Sequence, residues 1–255
     1  MVAGQGHNPN MKKFAGTFFA ALFLVLSALS PASGFKVPER LVFDLTWAGI
    51  KAGTATLEVK REENRTRIVS TARSADWVSV FYTVDDMIET ILSGPQPESA
   101  VGTPQNYRIR IREGRHRRNK EVLFDGPNHR AFFTDHISGE KKDLTIGENT
   151  FDPLSSFYYI RTLRAEVGKS LHVDVLDNKK LWNVEVQVIR KERISTKLGD
   201  FDTIVIKPLM KSEGIFNRKG DMFIWLTDDE KRLPVKMQTR VVVGSITATL
   251  TGGSY

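Results

Sequence analysis

Apolar and polar residues alternate along most of this chain, most clearly from Gly220 to Leu250. Met222–Leu226 is continuously apolar and ends in the polar turn Thr227-Asp228-Asp229-Glu230. Val235, Met237, Thr239 and Val241 then alternate with Lys236, Gln238 and Arg240. Past Gly244, Ile246, Ala248 and Leu250 alternate with Ser245, Thr247 and Thr249. Successive side chains of a strand point to opposite faces, so a period of two marks strands with one face buried and one wet. Three antiparallel strands are predicted here.

The same pattern runs through the rest. Leu41, Phe43, Leu45 and Trp47 alternate with Val42, Asp44 and Thr46, and a turn over Gly49–Gly53 leads to the strand of Ala55, Leu57 and Val59. Thr66–Arg73 and Met87–Leu92 are further strands. Tyr107, Ile109 and Ile111 alternate with Arg108, Arg110 and Arg112 ahead of the turn Glu113–His116, and Arg117, Arg118 and Lys120 open the next strand. This hairpin is expected to carry its row of cations on one face. Arg130–Thr134, a weak hairpin in 135–149, Leu171–Leu176, Leu181–Arg190, Arg193–Lys197 and Phe201–Met210 complete the strands. Ser93–Pro104 and Lys211–Lys219 read as loops.

Two stretches break the period. Trp77, Val78, Phe81 and Tyr82 stand at helical spacing within Ser74–Thr83, predicting a short helix laid against the sheet. Asp152-Pro153 pairs a good N-cap with the residue favoured at the first helical position. Leu154, Phe157, Tyr158, Tyr159, Ile160 and Leu163 then occupy most of the circumference, so this helix is expected to be covered on several sides or to plug a concave sheet. No repeat or linker divides the chain, and residues 35–255 read as one all-β domain.

The first 34 residues are set apart. Lys12 and Lys13 precede the apolar run Phe14–Leu29 and the small residues Ser30–Gly34, the pattern of a cleaved secretory signal peptide. The run is short for a membrane span. The chain has 37 basic and 30 acidic residues. The leader holds two lysines and no acid, so the mature chain keeps a net charge of +5. There is no cysteine, which excludes a thiol nucleophile and disulfide support. These features point to a bacterial periplasm, and export makes nucleic acid an improbable partner.

No phosphate loop, nucleophile elbow or zinc-protease motif occurs, and no cofactor or metal is implied. His129 and His136 read as scattered surface histidines. Asp85-Asp86 and Asp228-Asp229-Glu230 offer paired carboxylates for glycoside chemistry, but aspartate also starts turns by bonding its own backbone. Trp47, Trp77, Phe81, Tyr82, Phe157, Tyr158 and Trp225 line a ligand cavity in one reading and fill a core in the other. Arg108, Arg110 and Arg112 are the candidate anion site, although alternation with Ile109 and Ile111 places them on the outer face.

Five segments together resemble the DUF3108 family of exported bacterial proteins of unknown function. They are Phe43–Gly53, Ala72–Ser74, Val84–Asp86, Asp152–Tyr159 and Ile224–Val235. The resemblance spans about Pro38 to Leu250 and brings no catalytic residues to transfer. It implies a single curved antiparallel sheet or half-barrel, similar to the periplasmic lipoprotein carriers, with one or two short helices on the concave face. The leading expectation is then a non-catalytic periplasmic protein holding a lipid or other amphiphile, with envelope proteins as further partners. The alternatives are an enzyme on cell-envelope glycan using Asp85, Asp86 or Asp228, and a structural protein with a filled core.

Overall fold

The computed structural model describes residues 35–94, 101–209, 221–240 and 244–255, all within the unit Ala32–Tyr255. The expected leader, residues 95–100 of the first loop, the loop Lys211–Lys219 and Val241 lie outside them.

The described residues form fifteen strands and two helices. The first arm is β1 (Glu39–Trp47), β2 (Ile50–Glu62), β3 (Arg65–Ser74), α1 (Asp76–Ser79), β4 (Asp85–Ser93), β5 (Pro104–Glu113), β6 (His116–Asp125), β7 (Arg130–Asp135) and β8 (Lys141–Thr145). The second is β9 (Thr150–Phe151), α2 (Pro153–Thr162), β10 (Ser170–Asp177), β11 (Lys180–Thr196), β12 (Gly199–Leu209), β13 (Met222–Thr227), β14 (Pro234–Arg240) and β15 (Ser245–Ser254).

All fifteen strands belong to one open sheet, in the order β8 to β1, then β15 down to β9. It is a mainly β fold that does not close into a barrel. Every pairing is antiparallel except that of the two-residue β9 with β10. The arms join where β1 pairs with β15, setting Trp47 opposite Ile246 and Leu41 opposite Gly253. Because the sheet is a meander, alternate turns fall on alternate rims. The first rim carries the β1–β2, β5–β6, β10–β11 and β14–β15 turns and α1. The second carries the β2–β3, β11–β12 and β13–β14 turns.

Helix α2 lies against β10, β4, β3 and β9, drawing the two arms together over one apolar core. Asp152 caps it, accepting from the Leu154 and Ser155 amides at 2.9 Å each, while the Asp152 amide donates to Ser155 Oγ. Leu154, Ser155, Tyr158, Ile160 and Arg161 are all buried, so α2 is covered on several sides as its sequence predicts.

Two local expectations are corrected. The first hairpin turns at Ala48-Gly49, whose φ values of 48° and 86° make a two-residue turn, so β2 already begins at Ile50. The helix expected over Ser74–Thr83 is a single turn at Asp76–Ser79 with no buried residue. Four residues offer too few internal hydrogen bonds to carry a packed helix, and its aromatics turn to solvent.

Candidate ligand cavity

The concave side of the sheet is not completely filled. A cavity of ≈ 270 Å³ lies between the arms and α2. Leu57, Ile88, Tyr107, Ile109, Val122 and Phe133 form its wall on the first arm. Val173, Val175, Val184, Val186, Ile206, Ile224 and Met237 form the wall on the second. Leu154, Phe157 and Ile160 close it from α2. In antiparallel pairs, directly opposed residues share a face, and the apolar period of each strand supplies the inward set.

The helix that closes the cavity is anchored at both ends. At its N-terminus the buried Asp152 carboxylate accepts hydrogen bonds from the hydroxyls of Thr90 and Ser155, both at 2.7 Å. Burial pushes the Asp152 pKa up, against the pull of these donors. At the C-terminus, Arg161 donates to Glu39 on β1 and to the backbone oxygens of Lys231 and Arg232 at 3.2 and 3.0 Å. Its guanidinium also sits 5.0 Å from the ring centres of Phe35 and Tyr158. α2 is thereby fixed to both arms, and a fixed cover allows the space beneath it to persist.

One stretch of wall is polar. Arg118 and Lys120 on β6 face Asp177 and Asn178 at the β10–β11 turn, and all four line the cavity. The Lys120 ammonium donates to Asn178 Oδ1 at 3.0 Å and stands 5.7 Å from the Phe133 ring centre. Burial holds the Lys120 pKa below its ordinary value, with the Asp135 charge opposing. Beside it, Lys179 bridges to Glu140 on the first arm at 2.9 Å. The site therefore combines an apolar interior with an end at the first rim where the charges of Arg118 and Lys120 outweigh that of Asp177, so it can take an apolar group beside an anion.

Of the seven candidate aromatics, the structure puts Phe157 on the cavity wall. Tyr158 points away from it, fully buried against Phe35 and Phe157. Trp225 is buried on the face of β13 opposite Ile224, beneath Lys236 at 4.4 Å. Trp47, Trp77, Phe81 and Tyr82 stand exposed at the first rim, where strands end and alternation no longer implies cover.

The expected single row of cations is divided. Arg108, Arg110 and Arg112 are exposed on the outside, and Arg108 donates to Glu121 at 2.8 Å. Register explains the division: Arg112 faces Arg117, while Arg118 faces Ile111 and Lys120 faces Ile109. Arg118 and Lys120 thus share the inner face with Ile109 and Tyr107. The signal was present in the sequence, since Arg118, Lys120, Val122 and Phe124 form one period-two series.

The candidate carboxylates do not converge. Asp85 and Asp86 begin β4 at the first rim, and Asp228–Glu230 lie in the β13–β14 turn at the second. Asp229 Oδ1 accepts from Thr227 Oγ1 and from the Lys231 and Arg232 amides, which is turn-building. Lys191, at 2.6 Å, and Arg232 hold the Asp228 carboxyl below its usual range. His136 is within 3.2 Å of Glu121, and His129 lies in the β6–β7 turn. Among the described residues no group of three histidines or carboxylates is close enough to hold a metal ion, and no helix is long and apolar enough to cross a membrane.

A family model described as "Protein of unknown function (DUF3108)" matches residues 42–251. No curated protein sequence matches the chain. Among solved structures, the chain resembles a β-barrel-like protein of the domain of unknown function DUF1849 from Brucella abortus. That likeness has a TM-score of 0.55 and 12% identity, over 87% of this chain and 98% of that one. A putative exported protein with a YmcC-like fold from Bacteroides fragilis matches over the same shares, at 9% identity and a TM-score of 0.35. The first likeness supports the fold, and the second is too distant to bear on it.

Proposed function

The chain belongs to the DUF3108 family of proteins of unknown function, and from that premise we propose that it holds the apolar part of a lipid or similar amphiphile without catalysing a reaction. The observation that carries this reading is the ≈ 270 Å³ cavity, walled by apolar side chains of both arms and α2. The apolar part of such a cavity accepts apolar guests, and this volume falls just under the range of small-ligand pockets, about 300–1,000 Å³. The tail lies beneath Phe157 and Ile160, and the anionic head meets Arg118 and Lys120.

In this reading the protein works in the cell envelope. The basic pair, apolar run and small residues of the first 34 positions support export and cleavage, with residues 35–255 left as one periplasmic domain. The absence of cysteine is compatible with that compartment.

The test is native mass spectrometry of protein recovered from the producing cell, followed by titration of delipidated protein with a fluorescent fatty acid. Co-purified lipid and saturable micromolar uptake are the expected results. Delipidated protein that takes up neither fatty acid nor lysophospholipid overturns the reading.

A further inference from the structure

We propose that the first rim is a docking surface for an anionic phospholipid bilayer, with exposed apolar side chains entering the interface and arginines meeting headgroups. Six side chains carry the proposal. Trp47 stands directly opposite both Ile50 and Ile246 in the sheet register. The Trp77 indole donates to the Lys51 backbone oxygen at 3.0 Å, which sets α1 against the same hairpin. Val80 and Phe81 follow α1 immediately. They are 77% and 86% exposed, and Ile50 is 63% exposed. One such residue on a surface is ordinary, but six on one rim, two of them tryptophans, mark an interaction site. Tryptophan and tyrosine favour the bilayer interface, because one end of each is apolar and the other polar.

Charge at the rim suits an anionic surface. The β5–β6 turn meets the segment that follows α1 through the Gly114 amide, which donates to the Thr83 oxygen at 2.8 Å. That turn and the strand ends beside it present Arg112, Arg115 and Arg117, all exposed, and Arg240 lies beside Ala48. Acids are present too, several of them already held. Asp85 pairs with Arg73, Asp44 with Lys51 and Asp221 with Lys207. Asp86 is half-buried and accepts from the Arg112 amide, Glu113 is half-buried, and Asp76 is exposed at the start of α1. Among the exposed groups the balance is positive, and each arginine near an anionic leaflet adds to its attraction.

The rim also bears on the cavity, and this step rests on the amphiphile reading. Arg118 is the third residue of β6, close to the β5–β6 turn, Asp177 ends β10, and Asn178 opens the β10–β11 turn. The polar end of the cavity therefore lies on the rim that carries the patch. Docking there sets the cavity's cationic end against the headgroup layer, where an amphiphile enters or leaves with its tail out of water.

Co-sedimentation of the purified protein with vesicles tests the proposal. One set contains phosphatidylethanolamine and phosphatidylglycerol, the other phosphatidylcholine alone. Comparing variants in the same chain cancels any contribution of residues 1–34. The expected result is binding to the anionic vesicles that weakens with salt. Joint Val80→Asp and Phe81→Asp substitution should weaken it at least about tenfold. Both side chains are so exposed that the thermal midpoint should hold, and uptake of soluble fluorescent fatty acid should persist. Arg115→Gln with Arg117→Gln should weaken binding to the anionic set and leave the phosphatidylcholine set unchanged. Failure of the wild type to bind either set, or full binding by the Asp variant, overturns the proposal. So does a wild-type dimer that the Asp variant converts to monomer, which assigns the patch to a second copy. Vesicle binding without fatty-acid uptake retains the docking surface and overturns the cavity reading.

Discussion

The guanidinium of Arg161 meets the carboxylate of Glu39 in two parallel hydrogen bonds, Nη1 to Oε1 at 2.8 Å and Nη2 to Oε2 at 2.7 Å. Both side chains are almost wholly buried, at 1% and 3% exposure. The pair joins the last turn of α2 to the first residue of β1, 122 positions away in the chain. Removing one partner of such a pair leaves a buried charge without compensation, which costs about 3–5 kcal/mol. Arg161→Ala should therefore lower the urea midpoint sharply. The double change Glu39→Leu with Arg161→Met removes both charges at similar volume and should recover most of the loss. Equal destabilisation by the single and double variants would show that packing, not the charge, holds α2.

Trp225 gives a second stability test. It is 5% exposed, its indole donates to Glu192, and Lys236 lies over its ring at 4.4 Å. Truncating a buried tryptophan costs roughly 3–5 kcal/mol. Trp225→Ala should lower the thermal midpoint by several degrees, and Trp225→Phe by less because most of the ring contact is kept. An unchanged midpoint for the alanine variant means the outer face of β13 is not packed in solution.

Much of this architecture follows directly from period-two alternation, because strand side chains obey it wherever one face is buried. Asp152-Pro153 marks α2 for an equally local reason: capping and fixed φ act within three residues. What alternation does not give is pairing across the chain. Arg161 fits a helix C-terminus favourably disposed to cations, and nothing local discloses Glu39. Nor does composition tell which aromatics face a cavity. Trp47 continues the series of Leu41 and Phe43, yet stands exposed because β1 ends there. Arg118 and Lys120 were legible in principle, but only once the β5–β6 register placed them opposite Ile111 and Ile109.

Asp86 supplies a pH test. Burial raises its pKa from 3.8 to about 6, against the Arg112 amide that donates to it, with Glu113 and Asp85 adding repulsion. The folded state therefore binds more protons than the unfolded one between these values, and this group's contribution to stability falls as pH rises from about 4 to about 6. Asp86→Asn keeps an acceptor for the amide and removes the titration. Relative to wild type, the variant should gain thermal midpoint at pH 7.5 and show little or no gain at pH 4. Other carboxylates set the absolute pH profile, so the difference between the two proteins is the quantity to measure. A constant difference across that range means Asp86 ionises there as freely as in the unfolded chain.

The division of the cations yields the sharpest test of the cavity. Arg108, Arg110 and Arg112 stand outside, while Arg118 and Lys120 line the cavity itself. Changing the outer three to glutamine should leave fatty-acid affinity within about twofold, since exposed charges are well screened at physiological salt. Changing Arg118 and Lys120 to glutamine should weaken fatty-acid binding about tenfold or more, because charge-assisted hydrogen bonds to a carboxylate are lost in a partly desolvated site. The same pair should have little effect on a fatty alcohol, whose head carries no charge. Ser156 is buried on the cavity side of α2. Ser156→Trp should therefore fill the tail site and reduce uptake of acid and alcohol alike. Isothermal titration with both ligands separates the two effects. If the outer triple variant loses affinity and the inner pair does not, the head binds outside the sheet and the cavity is not the tail site.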